Sequence, residues 1–197
     1  MIPAGGLPVE LPLRTERLVL RQATDRDVDA VLAYCGDDDV VRHLPFGRLD
    51  RDGVVARMQR WHDELATDPD DVLDRDWFMT LVVEHEGGVV GDVMLRLGPQ
   101  ARRSVAEIGY VFSPAVAGRG FATESARRLV DAAFADFGCH RVTAMLDPAN
   151  TASARVCERL GMTREADLRR DWFGDGEWSD TTVFGLLREE WTPTRRL

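Results

Sequence analysis

The 197-residue chain contains no lysine, so all 25 of its fixed side-chain cations are arginines. That absence removes whole mechanisms: no lysine Schiff base, no pyridoxal phosphate linkage and no lysine-dependent phosphate loop can operate. Cysteine is sparse. Cys35, Cys139 and Cys157 are scattered and odd in number, with neither metal-ligand spacing nor a disulfide framework. The four histidines, His43, His62, His85 and His140, are equally dispersed. We read all seven as core or surface residues and expect no metal site. No apolar run approaches the roughly 20 residues needed to span a bilayer. The opening stretch MIPAGGLPVELPLR lacks a basic region followed by an apolar one, which argues against a signal peptide. A soluble cytoplasmic protein is expected.

Positive charge is also scarce relative to negative. The net charge of −9 fits nucleic acid poorly, because such binding relies on basic patches. It suits a cationic small substrate or partner better. What is present is enough apolar material for one core, 44% of residues, and one domain over 1–197 is expected.

Along the chain, Leu18 to Arg21 reads as a first strand. Thr24 and Asp25 then start an amphipathic helix with Val28, Val31 and Leu32. A polar break from Gly36 to Asp39 leads to an apolar loop, His43 to Phe46, interrupted by Pro45. Asp50 caps a second helix with Val54, Val55, Met58, Trp61 and Leu65 at helical spacing. An acidic loop follows, from Thr67 to Asp76. WFMTLVVEH and VVGDVMLRL form a hairpin about Gly87-Gly88. A third run, SVAEIGYVF, carries Gly109 at a position that suggests a bulge or close backbone approach. PAVAGRGFATESARRLV passes from a glycine turn into a helix that ends by Gly138. RVTAML is a strand, Asn150 or Thr151 begins a short helix to Leu160-Gly161, and two strands near 162–170 and 179–187 flank Gly174-Asp175-Gly176. The order of elements indicates an α/β or α+β domain with a mixed sheet.

Glycine turns before helices commonly hold anions, and three anions can be tested against this one. A P-loop fails for want of lysine. A dinucleotide fingerprint fits Gly118 and Gly120, but the third glycine is replaced by Thr123. A pyrophosphate held by backbone N–H groups fits best: Gly118 and Gly120 remove side chains, Ala122 stays small and Arg119 can add a cation. Downstream, Asn150, Ser153 and Cys157 fall within an arc of about 60° on one helix face. An amide, a hydroxyl and a thiol there suit an extended, amide-bearing ligand, although Asn150 and Ser153 also serve as capping residues and Cys157 as a small buried hydrophobe.

Over TERLVLRQATDRDVDAV, AEIGYVFSPAVAGRGFATESARRLVDAAF, NTASARVCERLGM and GEWSDTTVFGLLREEW the chain resembles the GNAT superfamily of N-acyltransferases, most closely its RimJ/RimL-type branch. The resemblance implies a mainly antiparallel mixed sheet of about seven strands, with strands 4 and 5 splayed apart and helices flanking. It implies acetyl-CoA as donor and a primary amine as acceptor, a protein N-terminal α-amine or a small-molecule amine. By that resemblance Ala117, Gly118, Arg119, Gly120, Phe121 and Ala122 form the pyrophosphate loop, with Ala117 where the family prefers Gln or Arg. Asn150 would contact the pantetheine arm, and backbone from Val111 through Phe112 to Ser113 would pair with it. Gly109 would supply the bulge that opens the sheet. Cys157 stands where many members carry a thiolate-protonating Tyr. The branch places that role on the residue matching Ser153.

Either Ser153 or Cys157 can be the proton donor. Glu107 is the candidate base, with Asp92, two strands earlier in the inferred order, or a water relay as alternatives. A backbone N–H near Val111 or Phe112 would stabilise the oxyanion. Arg155 and Arg159 could meet cofactor phosphate. The acceptor side is expected from His43 to Phe46 and from Trp172, Phe173 and Trp178, with an acidic mouth of Asp37 to Asp39, Asp70, Asp71, Asp171 and Asp175. A CoA-binding module without turnover is the alternative function. A homodimer pairing its C-terminal strands is compatible with the sequence.

Overall fold

The computed structural model describes residues 7–72, 74–99, 104–174 and 176–193. Eight strands form one sheet in the order β1-β2-β3-β4-β5-β6-β8-β7. They are β1 (Leu13–Arg14), β2 (Val19–Arg21), β3 (Trp77–His85), β4 (Gly88–Leu97), β5 (Val105–Phe112), β6 (Arg141–Leu146), β7 (Thr163–Gly174) and β8 (Glu177–Leu187). The helices are α1 (Val28–Cys35), α2 (Asp38–Val41), α3 (Arg51–Leu65), α4 (Phe121–Ala135) and α5 (Thr151–Arg159). The sheet has one strand more than expected, the short β1, so the expected fourth and fifth strands are β5 and β6.

Helix starts follow their caps. Asp50 accepts from Gly53 N at 2.8 Å before α3. Thr24 and Asp27 form a capping box ahead of α1, whose first turn is a 3-10 turn. Helix α2, capped by Asp37, begins within the residues read as a polar break and runs on to Val41. The hairpin turn is Glu86-Gly87, both at positive φ, while Gly88 already pairs with His85; the turn lies one residue earlier than expected.

Two apolar layers sandwich the sheet. Alternate residues of the central strands send Leu81, Val93, Leu95, Ala106 and Ile108 to the face covered by α4 and α5. Val82 and Val111 face α1 and α3, where Val31, Tyr34, Val54 and Trp61 pack. The period of two in a strand sets this division.

The splay follows from register. β5 pairs with β4 in regular antiparallel register through Phe112 opposite Gly91. Its parallel pairing with β6 ends at Glu107 opposite Thr143. Beyond that point the strands diverge. Gly109 is not at a bulge; it sits in register opposite Met94, and a Cβ there would come within 3.0 Å of Met94 Cε. Glycine makes room for a neighbouring side chain, and the opening comes from the short β5–β6 pairing. Asp92 lies on the strand next to β5, opposite Val111, rather than two strands away.

Candidate functional site

The glycine turn builds one end of a cleft of about 1680 Å³. Ser113 caps a 3-10 turn over Pro114–Val116, and Ala117 leads into Gly118. Gly118 and Gly120 have φ of 76° and 80°, a left-handed conformation that side chains disfavour. A Cβ on Gly118 would meet nothing within 4 Å, and on Gly120 only Arg17 Nη2 at 3.6 Å. Gly120 is the N-cap of α4. The first N–H groups of a helix have no acceptor within it, and here Phe121, Ala122 and Thr123 all line the cleft. Thr123 Oγ1 is buried without a hydrogen-bond partner among the described residues. These are features of an anion site.

A carboxylate in the first turn of α4 would repel an anion unless neutralised. Glu124 accepts from Thr15 Oγ1 at 2.6 Å and from Arg17 N and Nε at 3.0 and 2.8 Å. Burial opposes its ionisation, but these donors outweigh that and hold its carboxyl below the usual range. The arrangement also ties the first turn of α4 to the β1–β2 connection. Arg119 turns away: its guanidinium contacts His85 Nε2 at 2.9 Å, stacks on Phe121 and does not line the cleft. The cations facing the cleft are instead Arg128 of α4 and Arg155 and Arg159 of α5, among others.

The β5 edge forms the middle. Ser113 N donates to Val90 O at 2.9 Å, so the alternation of antiparallel pairing turns the N–H groups of Val111 and Gly109 toward β4. Those of Tyr110 and Phe112 face the opening where β6 has departed. Phe112 therefore offers its N–H to the cleft, whereas that of Val111 is used in the sheet. On the opposite wall Asn150 accepts from Ser153 N at 3.0 Å through Oδ1, which leaves its Nδ2 as a donor. Asn150 and Ser153 line the cleft together with Val111, Phe112, Ser113, Ala117, Gly118, Gly120, Phe121, Ala122 and Arg155. Capping and ligand roles thus coexist on Asn150.

These residues fit an acetyl-CoA molecule: an anion cradle at one end, an unpaired strand edge for an amide-bearing arm, and donors on the facing helix. A family model described as an acetyltransferase (GNAT) domain matches residues 17–163. The chain belongs to the GNAT acetyltransferases. The uncharacterized N-acetyltransferase YnaD of Bacillus subtilis is 26% identical over 179 residues, covering 91% of this chain and 98% of that protein. A GNAT-family acetyltransferase from Bacillus anthracis superposes with a TM-score of 0.78 at 27% identity, covering 90% of this chain and 99% of its own. RimJ of Mycobacterium smegmatis in complex with CoA-disulfide shares the fold, with a TM-score of 0.74 at 24% identity over 88% of this chain and 83% of its own. The chain is thus an acetyl-CoA-dependent N-acetyltransferase.

Within this GNAT site three expected residues sit differently. Cys157 is fully buried and does not line the cleft. Between it and the cleft lies Tyr110, whose hydroxyl donates to Ser153 O at 3.0 Å and stands 3.7 Å from Cys157 Sγ. Burial pushes both the Cys157 thiol and the Tyr110 phenol up, so both stay protonated. Tyr110 was not anticipated; only its position two residues after Ile108, on the α5 side of β5, could have marked it. Glu107 is bound by Arg96, which also reaches Asp76 at 3.2 Å, and is absent from the cleft lining. Burial pushes its carboxyl up against the pull of Arg96. Asp92 is buried beneath Tyr34, whose hydroxyl donates to it at 2.9 Å. Burial likewise pushes the Asp92 carboxyl up.

The acceptor-side expectation divides. Asp39, His43 and Leu44 line the cleft. Phe46 instead packs under the Arg57 guanidinium at 4.0 Å. Trp172, Phe173 and Trp178 are exposed at the far end of the β7–β8 hairpin and do not line it. Asp175 lies outside the described residues. No helix among the described residues is long and apolar enough to cross a membrane.

Proposed function

We propose that this acetyltransferase moves an acetyl group from acetyl-CoA to a primary amine, either a protein N-terminal α-amine or a small-molecule amine, by direct attack in a ternary complex. The observation that carries the reading is the β5–β6 splay. It opens the sheet so that one cleft is lined by α4 and α5 on one face and by the α2 region on the other. The donor enters from the α4 side and the amine meets the thioester through the opening.

In this reading the N–H groups of Gly120, Phe121 and Ala122 hold the pyrophosphate, with Gly118 keeping the approach clear and Ala117 contributing backbone alone. Arg155 meets phosphate from α5. Asn150 Nδ2 and the β5 edge from Val111 to Ser113 hold the pantetheine arm. Phe112 N–H faces the carbonyl oxygen of the thioester, where negative charge develops. A thiolate with a pKa of about 8.5 needs modest help to leave. Ser153 Oγ and the Tyr110 hydroxyl can supply it, the latter by turning its proton from Ser153 O to the sulfur, and Cys157 acts through Tyr110 rather than on the thiolate.

The test is release of CoA thiol from acetyl-CoA with a panel of glycinamide, spermidine and short peptides bearing free N-termini. Acetylation of at least one amine is expected. Thermal stabilisation by acetyl-CoA without turnover of any amine would replace this reading with a CoA-binding module.

A further inference from the structure

We propose that His43, oriented by Asp147, is the general base that removes a proton from the incoming ammonium. The inference rests on the acceptor reading above and deepens it. His43 Nδ1 lies 2.6 Å from Asp147 Oδ2, and the pair is partly buried. An ionised carboxylate only accepts, so Nδ1 carries the proton and the lone pair of neutral imidazole is on Nε2. His43 lines the cleft from the α2 side, the face opposite α4 and α5.

Asp147 is itself held firmly. Its Oδ1 accepts from Ala149 N at 2.8 Å, and its carbonyl accepts from Asn150 N at 2.9 Å. The same turn therefore presents Asn150 to the donor and the Asp147–His43 pair to the acceptor. The other charged groups of the α2 region that line the cleft are Asp39 and Arg42, which pair with each other at 2.9 Å. Glu107 and Asp92, the two carboxylates nearest the splay in sequence, are occupied by Arg96 and Tyr34 and do not line the cleft.

The protons balance as follows. The substrate ammonium gives one proton to His43 Nε2, and Asp147 stabilises the resulting imidazolium. The freed nitrogen lone pair forms the C–N bond at the thioester carbonyl. As the C–S bond breaks, the thiolate takes a proton from the Ser153 or Tyr110 hydroxyl and leaves as CoA thiol, and the second nitrogen proton restores that hydroxyl. His43 returns its proton to solvent. Asp147 is a positioning residue; His43 is the catalytic one.

The test uses the full chain with acetyl-CoA and whichever amine of the panel is acetylated fastest. His43→Gln should lower kcat about 10²- to 10⁴-fold with KM for acetyl-CoA within twofold of wild type. Its rate should climb with pH in step with free amine, more steeply than that of wild type. Asp147→Asn should show a smaller loss in kcat, again with KM for acetyl-CoA within twofold of wild type. Nitrogen NMR of ¹⁵N-histidine-labelled protein should show neutral His43 protonated at Nδ1. A His43→Gln variant whose pH profile matches wild type would make the pair a mere latch and overturn the proposal. Should no amine be acetylated by wild type, the acceptor reading fails, and the nitrogen shifts alone decide: neutral His43 protonated at Nε2 overturns the dyad.

Discussion

Gly118 and Gly138 make a matched pair of perturbations. Both have positive φ, 76° and 69°, and a Cβ on either would meet nothing within 4 Å. Replacing each by Ala imposes the same backbone strain, about 1–2 kcal/mol, because a left-handed residue brings its Cβ against a carbonyl oxygen. For a chain of this size that lowers the Tm by about 2–4 °C per kcal/mol. Only Gly118 lines the cleft. Strain present with and without ligand cancels in the affinity, so Gly138→Ala should bind CoA like wild type. Gly118→Ala should lose at least one charge-assisted hydrogen bond to the pyrophosphate, about 1.5–3 kcal/mol, which is about a 10- to 150-fold rise in Kd. Isothermal titration with CoA measures both, and the 3′-dephospho form of the same ligand should show the same ratio. Equal Kd values for the two variants, each within twofold of wild type, would refute the placement of the pyrophosphate at this turn.

Three further outcomes are expected. Tyr110→Phe removes the donor to Ser153 O; it should cost about 1 kcal/mol of stability and lower kcat about tenfold, a modest effect because the thiolate leaves readily. If Tyr110→Phe keeps full kcat while Ser153→Ala loses it, Ser153 alone serves the sulfur. Asp27 is held below the usual carboxylate range by Arg21, chiefly through a hydrogen bond, with Thr24 adding to it. A depressed carboxyl contributes stability that is present above its unfolded pKa and lost as pH falls through the folded one. Asp27→Asn should therefore cost about 2 kcal/mol at pH 7 and progressively less below pH ~4. A denaturation series that shows a pH-independent difference would contradict this. Asp92 has the opposite sign: its raised carboxyl contributes stability at low pH that is lost as pH rises. Asp92→Asn can still accept from Tyr34, so its Tm relative to wild type should increase from pH 4 to pH 9, and a flat difference would refute the role of burial.

Several parts of the fold and of the site were legible in the letters because they depend on local chemistry. Asn150 as a cap, Gly118 and Gly120 at a turn before a helix, and Asp50 at the start of α3 each follow from preferences acting over a few residues. Tyr110 was not legible in this way. Nothing local distinguishes it from any strand tyrosine, and its importance comes from Cys157 and Ser153, more than forty positions away, being delivered to it by α5. Glu107 was misleading for the same reason. A carboxylate on the strand beside the ligand looks like a base until the register of β4 puts Arg96 opposite it. His43 looked like one of four scattered histidines until the fold brought Asp147 to its Nδ1.

The sequence by itself determined the order of elements, the glycine turn and its missing side chains, and the exclusion of lysine chemistry. Those are properties of residues and their immediate neighbours. Tertiary structure alone decided which ionisable groups face the cleft. That choice depends on strand register and on where pairing of β5 with β6 stops, and both are settled by packing between segments far apart in the chain.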